Sequence, residues 1–142
     1  MIKQTLIFCI VTLVLTAHSL WAESPEPEKE ARALMAAEAW LSIVDKGEYD
    51  KSWEKTSEYF QNSVSKKDWT DALTGFRKPF GKVILRKVAQ MKYTTSLPGA
   101  PDGEYVVIHF KTSFKNKASS FETVTPSLEK NGTWRVAGYF IK

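Results

Sequence analysis

The ten residues Val83–Lys92, VILRKVAQMK, decide how the chain folds. Val83, Leu85, Lys87, Ala89 and Met91 alternate with Ile84, Arg86, Val88, Gln90 and Lys92. A period of two places successive side chains on opposite faces of a strand. Before Lys82 the apolar residues recur at steps of three and four, which is the period of a helix. The change of period therefore separates a helical front from a β rear.

Upstream of Lys82, Ala33, Ala37, Trp40, Leu41 and Val44 form one apolar stripe, and Gly47 supplies a stop. Glu48 to Val64 reads as a broken helical region in which Tyr49, Trp53 and Thr56 share a side, with breaks expected at Ser57 or Asn62. Ser65-Lys66-Lys67-Asp68 resembles a capping box with Asp in place of Glu. The helix it opens carries Trp69, Leu73, Phe76 and Phe80, and Pro79 and Gly81 close it.

Downstream, the turn-rich Leu97–Gly103 leads to a second strand, Glu104–Phe114, with Val106, Ile108 and Phe110 on one face. Lys115-Asn116-Lys117 turns into a third strand, Ser119–Glu129, where Pro126 removes a ladder donor and predicts a bulge or edge segment. Asn131-Gly132 signals a two-residue hairpin. The fourth strand, Thr133–Ile141, has Trp134, Val136 and Phe140 on one side. A two-residue loop sets Glu122 opposite Ile141 and Leu128 opposite Arg135. The fold class is α+β, with N-terminal helices packed on a curved four-stranded antiparallel sheet.

The first 22 residues read as a secretory signal peptide: Lys3, the apolar run Leu6–Leu15, and a cleavage site near Ala22. That run is about half the length a membrane span needs. Cys9 lies inside it without the small residues that precede a lipidated cysteine. Residues 23–29 read as an extended leader and 30–142 as a single domain, exported to the periplasm or secreted. Of the 142 residues, the 120 that remain hold no Cys and one His, His109, at a net charge of +3. That composition removes disulfides, thiol catalysis, thiolate metal sites and His clusters. No metal and no cofactor is expected.

The string Thr94–Tyr105 (TTSLPGAPDGEY), with Glu122-Thr123-Val124-Thr125 and Trp134-Arg135-Val136, resembles the bacterial secreted family catalogued as domain of unknown function 4019. Ala39-Trp40-Leu41, Ser52-Trp53 and Phe76-Arg77 are similar to its helical half. The resemblance implies a cystatin-like or nuclear-transport-factor-2-like fold. It transfers no catalytic residue, because fold relatives include isomerases, dehydratases and binding modules.

Four residues are candidates for chemistry. His109 and Glu122 are the candidate bases, and Tyr105 and Tyr139 the candidate hydrogen-bond donors, for proton transfer or dehydration in a small-molecule pocket. A carboxylate at Glu122, mid-strand, calls for a basic partner, expected on the second strand. The Pro98–Gly103 segment does not match the Gly-rich phosphate loops and reads as a stiffened turn.

Charge is uneven. Glu23 to Glu58 carries ten acids and five bases, while Ser65 to Lys92 carries eight bases and two acids. Lys78, Lys82, Arg86 and Lys87 are the expected contact surface. Export excludes nucleic acid, so the expected partner is an anionic envelope component (a lipid headgroup or cell-wall polymer) or a protein. A homodimer through the sheet face is the expected oligomer. By elimination the functional expectation is a binding module without a catalytic constellation, with a small-molecule enzyme or an apolar-ligand carrier as the alternatives.

Overall fold

The computed structural model describes residues 25–142. The proposed signal peptide lies outside the described residues. The chain runs through α1 (Glu26–Asp45), α2 (Tyr49–Glu54), α3 (Glu58–Ser63), α4 (Lys66–Phe76) and a 3₁₀ turn (Lys78–Phe80). It then enters β1 (Val83–Thr94), β2 (Tyr105–Phe114), β3 (Lys117–Leu128) and β4 (Trp134–Ile141). The four strands pair antiparallel in the order β1-β2-β3-β4. The α+β class stands, with helices first and an open antiparallel sheet after.

Local chemistry sets the helix ends. Pro25 caps α1, and Pro27 sits in its first turn, where a missing N–H costs nothing. α1 therefore starts at Glu26, inside the stretch read as extended leader. The break at Ser57 is real: its hydroxyl accepts the Phe60 N–H at 3.1 Å and opens α3. Ser65 does the same for α4 through the Asp68 N–H.

α1 lies against all four strands. Its stripe of Ala33, Ala37, Trp40, Leu41 and Val44 is buried against Val106, Ile108, Phe110, Val124 and Val136. Each large apolar side chain fully buried there contributes about 1.5–3 kcal/mol. Trp40 donates its indole N–H to the Ser52 carbonyl at 2.8 Å, and Trp69 donates to the Ser52 hydroxyl at 2.9 Å. Buried Ser52 thus ties α1 and α4 to α2.

The sheet carries register shifts that the simple alternation lacks. In β1, Val88 pairs with Phe110 and Gln90 with His109, which leaves Ala89 unpaired. In β4, Val136 pairs with Pro126 and Gly138 with Thr125, which leaves Ala137 unpaired. Each bulge reverses which parity faces the helices. Arg86 and Val88 face inward before the first bulge, Met91 and Tyr93 after it. Trp134 and Val136 face inward before the second, Tyr139 and Ile141 after it. Phe140 therefore does not share a face with Trp134 and Val136.

The hairpin differs as well. Glu129 N–H donates to the Thr133 carbonyl at 2.8 Å, so the loop is Lys130–Gly132, with Gly132 at φ 82°. This is the three-residue loop that needs a glycine at the left-handed position. Leu128 accordingly pairs with Trp134, not Arg135, and the bulge at Ala137 restores Glu122 opposite Ile141. Pro126 sits at that bulge, where the ladder tolerates its missing N–H.

Candidate functional site

Alternation along β3 turns Ser120, Glu122 and Val124 inward, and Glu122 ends with no solvent exposure. Arg86, on β1, reaches over β2 to meet it. Arg86 Nε donates to Glu122 Oε2 at 2.6 Å and Nη2 donates to Oε1 at 3.0 Å. Thr112 on β2 donates its hydroxyl to Oε2, and Tyr139 on β4 donates to Oε1 at 2.7 Å. Every strand contributes one group. The expected partner on the second strand is therefore wrong in place: β2 supplies a hydroxyl, and the cation comes from one strand farther.

The network continues into the helices. Asp45, the last residue of α1, accepts from Arg86 Nη1 at 2.7 Å and Nη2 at 3.0 Å, and from Arg77 Nη2 at 3.0 Å. A carboxylate at a helix C-terminus opposes the macrodipole. Here two guanidiniums hold it. Arg77 is buried at the end of α4, donates to the Gly81 carbonyl at 2.9 Å, and lies 4.4 Å over the Phe114 ring. Two cations and two anions balance. Arg is suited to this task because its planar fork binds two carboxylates and stays charged.

Titration follows the geometry. Burial pulls the Arg86 guanidinium down, but the Asp45 and Glu122 hydrogen bonds outweigh it and its pKa is raised. Burial, with the Glu122 charge beside it, pushes the Tyr139 phenol well above its ordinary range, so it stays a neutral donor. Glu122 has both oxygens doubly engaged, and no described cavity is lined by it. A general base needs a free lone pair within reach of substrate. Glu122 and Tyr139 are brought together, but as a closed structural contact.

The other candidates are apart. His109 lies half-buried on the outer face of β2, its Nδ1 2.9 Å from the Thr123 hydroxyl. Tyr105, four residues back on that face, donates to the Pro101 carbonyl at 2.6 Å and pins the turn-rich loop. Four strand residues are about 13 Å, too far for a base and its donor to act together. Of the expected basic surface, Lys78, Lys82 and Lys87 are exposed, but Arg86 is not part of it. Its side chain is 14% exposed and bound to two carboxylates. Among the described residues, no group of three or more His, Cys, Asp or Glu is placed to hold a metal. Nor is any described helix long and apolar enough to cross a membrane.

Sequence reasoning allowed an apolar-ligand carrier as an alternative but did not place its site or name the sheet residues that line it. An apolar groove of about 420 Å³ runs between the helices and the end of β4. Phe60, Val64, Trp69, Phe76 and Phe80 line its helical side, and Tyr139, Phe140 and Ile141 its sheet side. Phe76 and Phe80 repeat at helical spacing and so read as core, yet Phe76 is 38% exposed and Phe140 59% exposed. A larger cavity of about 720 Å³ opens at the other end between α3, the Pro101–Tyr105 loop and the β3–β4 hairpin, and is rimmed by acids including Glu58, Asp102 and Glu129.

The family model described as protein of unknown function (DUF4019) matches residues 36–139, and the chain belongs to that family. No curated protein and no solved structure matches it.

Proposed function

We propose that this member of the DUF4019 family is an exported binding module, without a catalytic constellation, whose ligand site is the aromatic groove between α3–α4 and the end of β4. The observation that carries this is the groove itself, an open apolar channel lined by aromatic rings from two separate parts of the chain. Ligand sites are typically concave and mostly apolar, with a few polar groups at the margin. Exposed aromatics at one place on a small protein mark an interaction site. The ligand is apolar. The cystatin-like or nuclear-transport-factor-2-like arrangement is part of this proposal, and helices against one face of an antiparallel sheet support it. The anionic-partner expectation contracts to Lys78, Lys82 and Lys87, because Arg86 is consumed inside.

The test is titration with anilinonaphthalene sulfonate and with dodecanoate, following probe fluorescence and the tryptophan emission. Wild type should bind saturably. Phe76→Glu and Phe140→Ser should each weaken binding by about tenfold while far-UV circular dichroism is unchanged. Equal binding by wild type and both variants would place the apolar site elsewhere and sink the proposal.

A further inference from the structure

The groove borders an unfinished sheet edge. Among the described residues, β4 has a strand neighbour on one side only. Its upstream half is covered: Thr56 bridges to Val136, and the Ser57 N–H donates to the Val136 carbonyl at 2.8 Å. Beyond the bulge at Ala137 no described element pairs with it.

The orientation of that free edge follows from its other side. Phe121 and Lys142 exchange both backbone hydrogen bonds, at 2.9 and 3.0 Å. In an antiparallel ladder bonded and non-bonded pairs alternate. Phe140, opposite Thr123, and Gly138, opposite Thr125, therefore also bond inward to β3. Tyr139 and Ile141 then point their N–H and C=O groups outward, beside the groove. Two residues in alternation offer two donors and two acceptors to an incoming strand.

Charge says what kind of chain fits. At the Phe80–Ile141 end the groove is rimmed by cations. Lys117 Nζ lies 5.2 Å from the Phe80 ring centroid, Lys78 opens the 3₁₀ turn that carries Phe80, and Lys142 follows Ile141. β4 of a second copy, Trp134–Ile141, holds no acid and so offers nothing to pair with these cations. An acidic segment is favoured.

We infer that the free edge of β4 receives an extended polypeptide segment of a partner protein as a fifth strand, with apolar side chains at every second position entering the aromatic groove and acidic residues at its Lys78–Lys117–Lys142 end. Strand addition takes affinity from main-chain hydrogen bonds and specificity from alternate side-chain pockets. It rests on the proposal that the groove is the ligand site, and it replaces a generic apolar ligand by a peptide of stated pattern.

The experiment is selection of phage-displayed random dodecapeptides on the purified protein, followed by synthesis of the enriched sequences. Enrichment should yield apolar residues in alternation with Asp or Glu toward one end. N-methylation of one alternate set of peptide amides should weaken binding by about tenfold or more, and of the other set hardly at all. Ile141→Pro removes an outward N–H that β3 does not use, so it should abolish peptide binding in a folded protein, whereas Ile141→Val should keep it. Lys117→Glu/Lys142→Glu should weaken binding severalfold. N-methylation tolerated at every position, or enriched peptides without alternation, would overturn strand addition. No enrichment while dodecanoate still fills the groove would overturn it and leave the groove as a small-ligand site. Failure of both probes would sink the groove as well. Concentration-dependent dimers that Ile141→Pro dissolves would name a second copy as the occupant and overturn the acidic partner.

Discussion

Arg86 Nε stands 2.6 Å from Glu122 Oε2, although the two residues belong to strands that do not touch each other. The guanidinium spans β2, so the contact forms only when β1, β2 and β3 are all in register. Tyr139 extends the requirement to β4, and Asp45 to α1. Buried ion pairs add little net stability against an apolar alternative, since desolvation offsets the attraction. What this one supplies is a check on the alignment of every strand at once.

Removing one partner leaves a buried charge exposed to its own desolvation cost. Arg86→Met should therefore destabilise by about 3–5 kcal/mol, read as a drop in the urea midpoint at unchanged slope. Arg86→Met/Glu122→Gln restores charge balance, with Asp45 still held by Arg77. The double variant should lose less than the sum of the two single variants. Full additivity would mean that the two residues act independently.

Tyr139 predicts the alkaline limb. Its folded pKa is raised, by burial first and by Glu122 second, so the native state keeps a proton that the unfolded chain loses near its ordinary value of 10.0. The native state then binds more protons, and stability falls as pH rises above that value. In Tyr139→Phe the hydrogen bond is lost, at a cost of about 1–2 kcal/mol at neutral pH. Its stability should then decline less steeply than wild type between about pH 9 and 11. Parallel curves would contradict the assignment.

Glu104 predicts the acid limb. Lys29, a buried residue of the first turns of α1, hydrogen-bonds its carboxylate and holds its pKa below the ordinary 4.5, helped by the Tyr93 hydroxyl at 2.8 Å. A depressed carboxyl contributes stability above its unfolded pKa, and that stability is lost as pH falls through the folded value. Glu104→Gln should flatten the loss below about pH 4.5, measured by urea midpoints at graded pH. The same steepness in the variant would remove Glu104 as the source.

The cations of the Lys78–Lys87 stretch should separate into two kinds. Lys78→Glu/Lys82→Glu/Lys87→Glu reverses three exposed charges and should leave the unfolding free energy within about 1 kcal/mol of wild type. Arg86→Glu places a third carboxylate beside Asp45 and Glu122 and should prevent folding. Circular dichroism of the two proteins distinguishes these outcomes. If both fold alike, Arg86 is not the internal residue described.

Much of the fold is legible where one residue carries one local consequence. Ser57 and Ser65 announce helix starts because their hydroxyls cap them, and Pro126 announces a bulge because it lacks an N–H. Not every parity switch is legible. The one at Ala137 lies opposite Pro126 and is announced by it, but the one at Ala89 falls at a residue with no special backbone demand, and only the register of the neighbouring strand reveals it. The same holds for the site. Glu122 is conspicuous as a mid-strand carboxylate, but its partner sits 36 residues away on a non-adjacent strand. Phe76 and Phe80 have the spacing of core residues, and only the assembled shape shows that they border a groove.

Ala137 carries more of the fold than its methyl group suggests. It is an extra residue that the ladder skips. Without it Gly138 would follow Val136 directly, an even alternation that keeps Tyr139 and Ile141 inward and leaves Glu122 its phenol. Straightening β4 with Ala137 counted as a ladder residue would do the opposite, turning Gly138 and Phe140 into the space now filled by Tyr139 and Ile141. The inward side of this edge is therefore set by whether one residue is counted or skipped, and not by which residue it is.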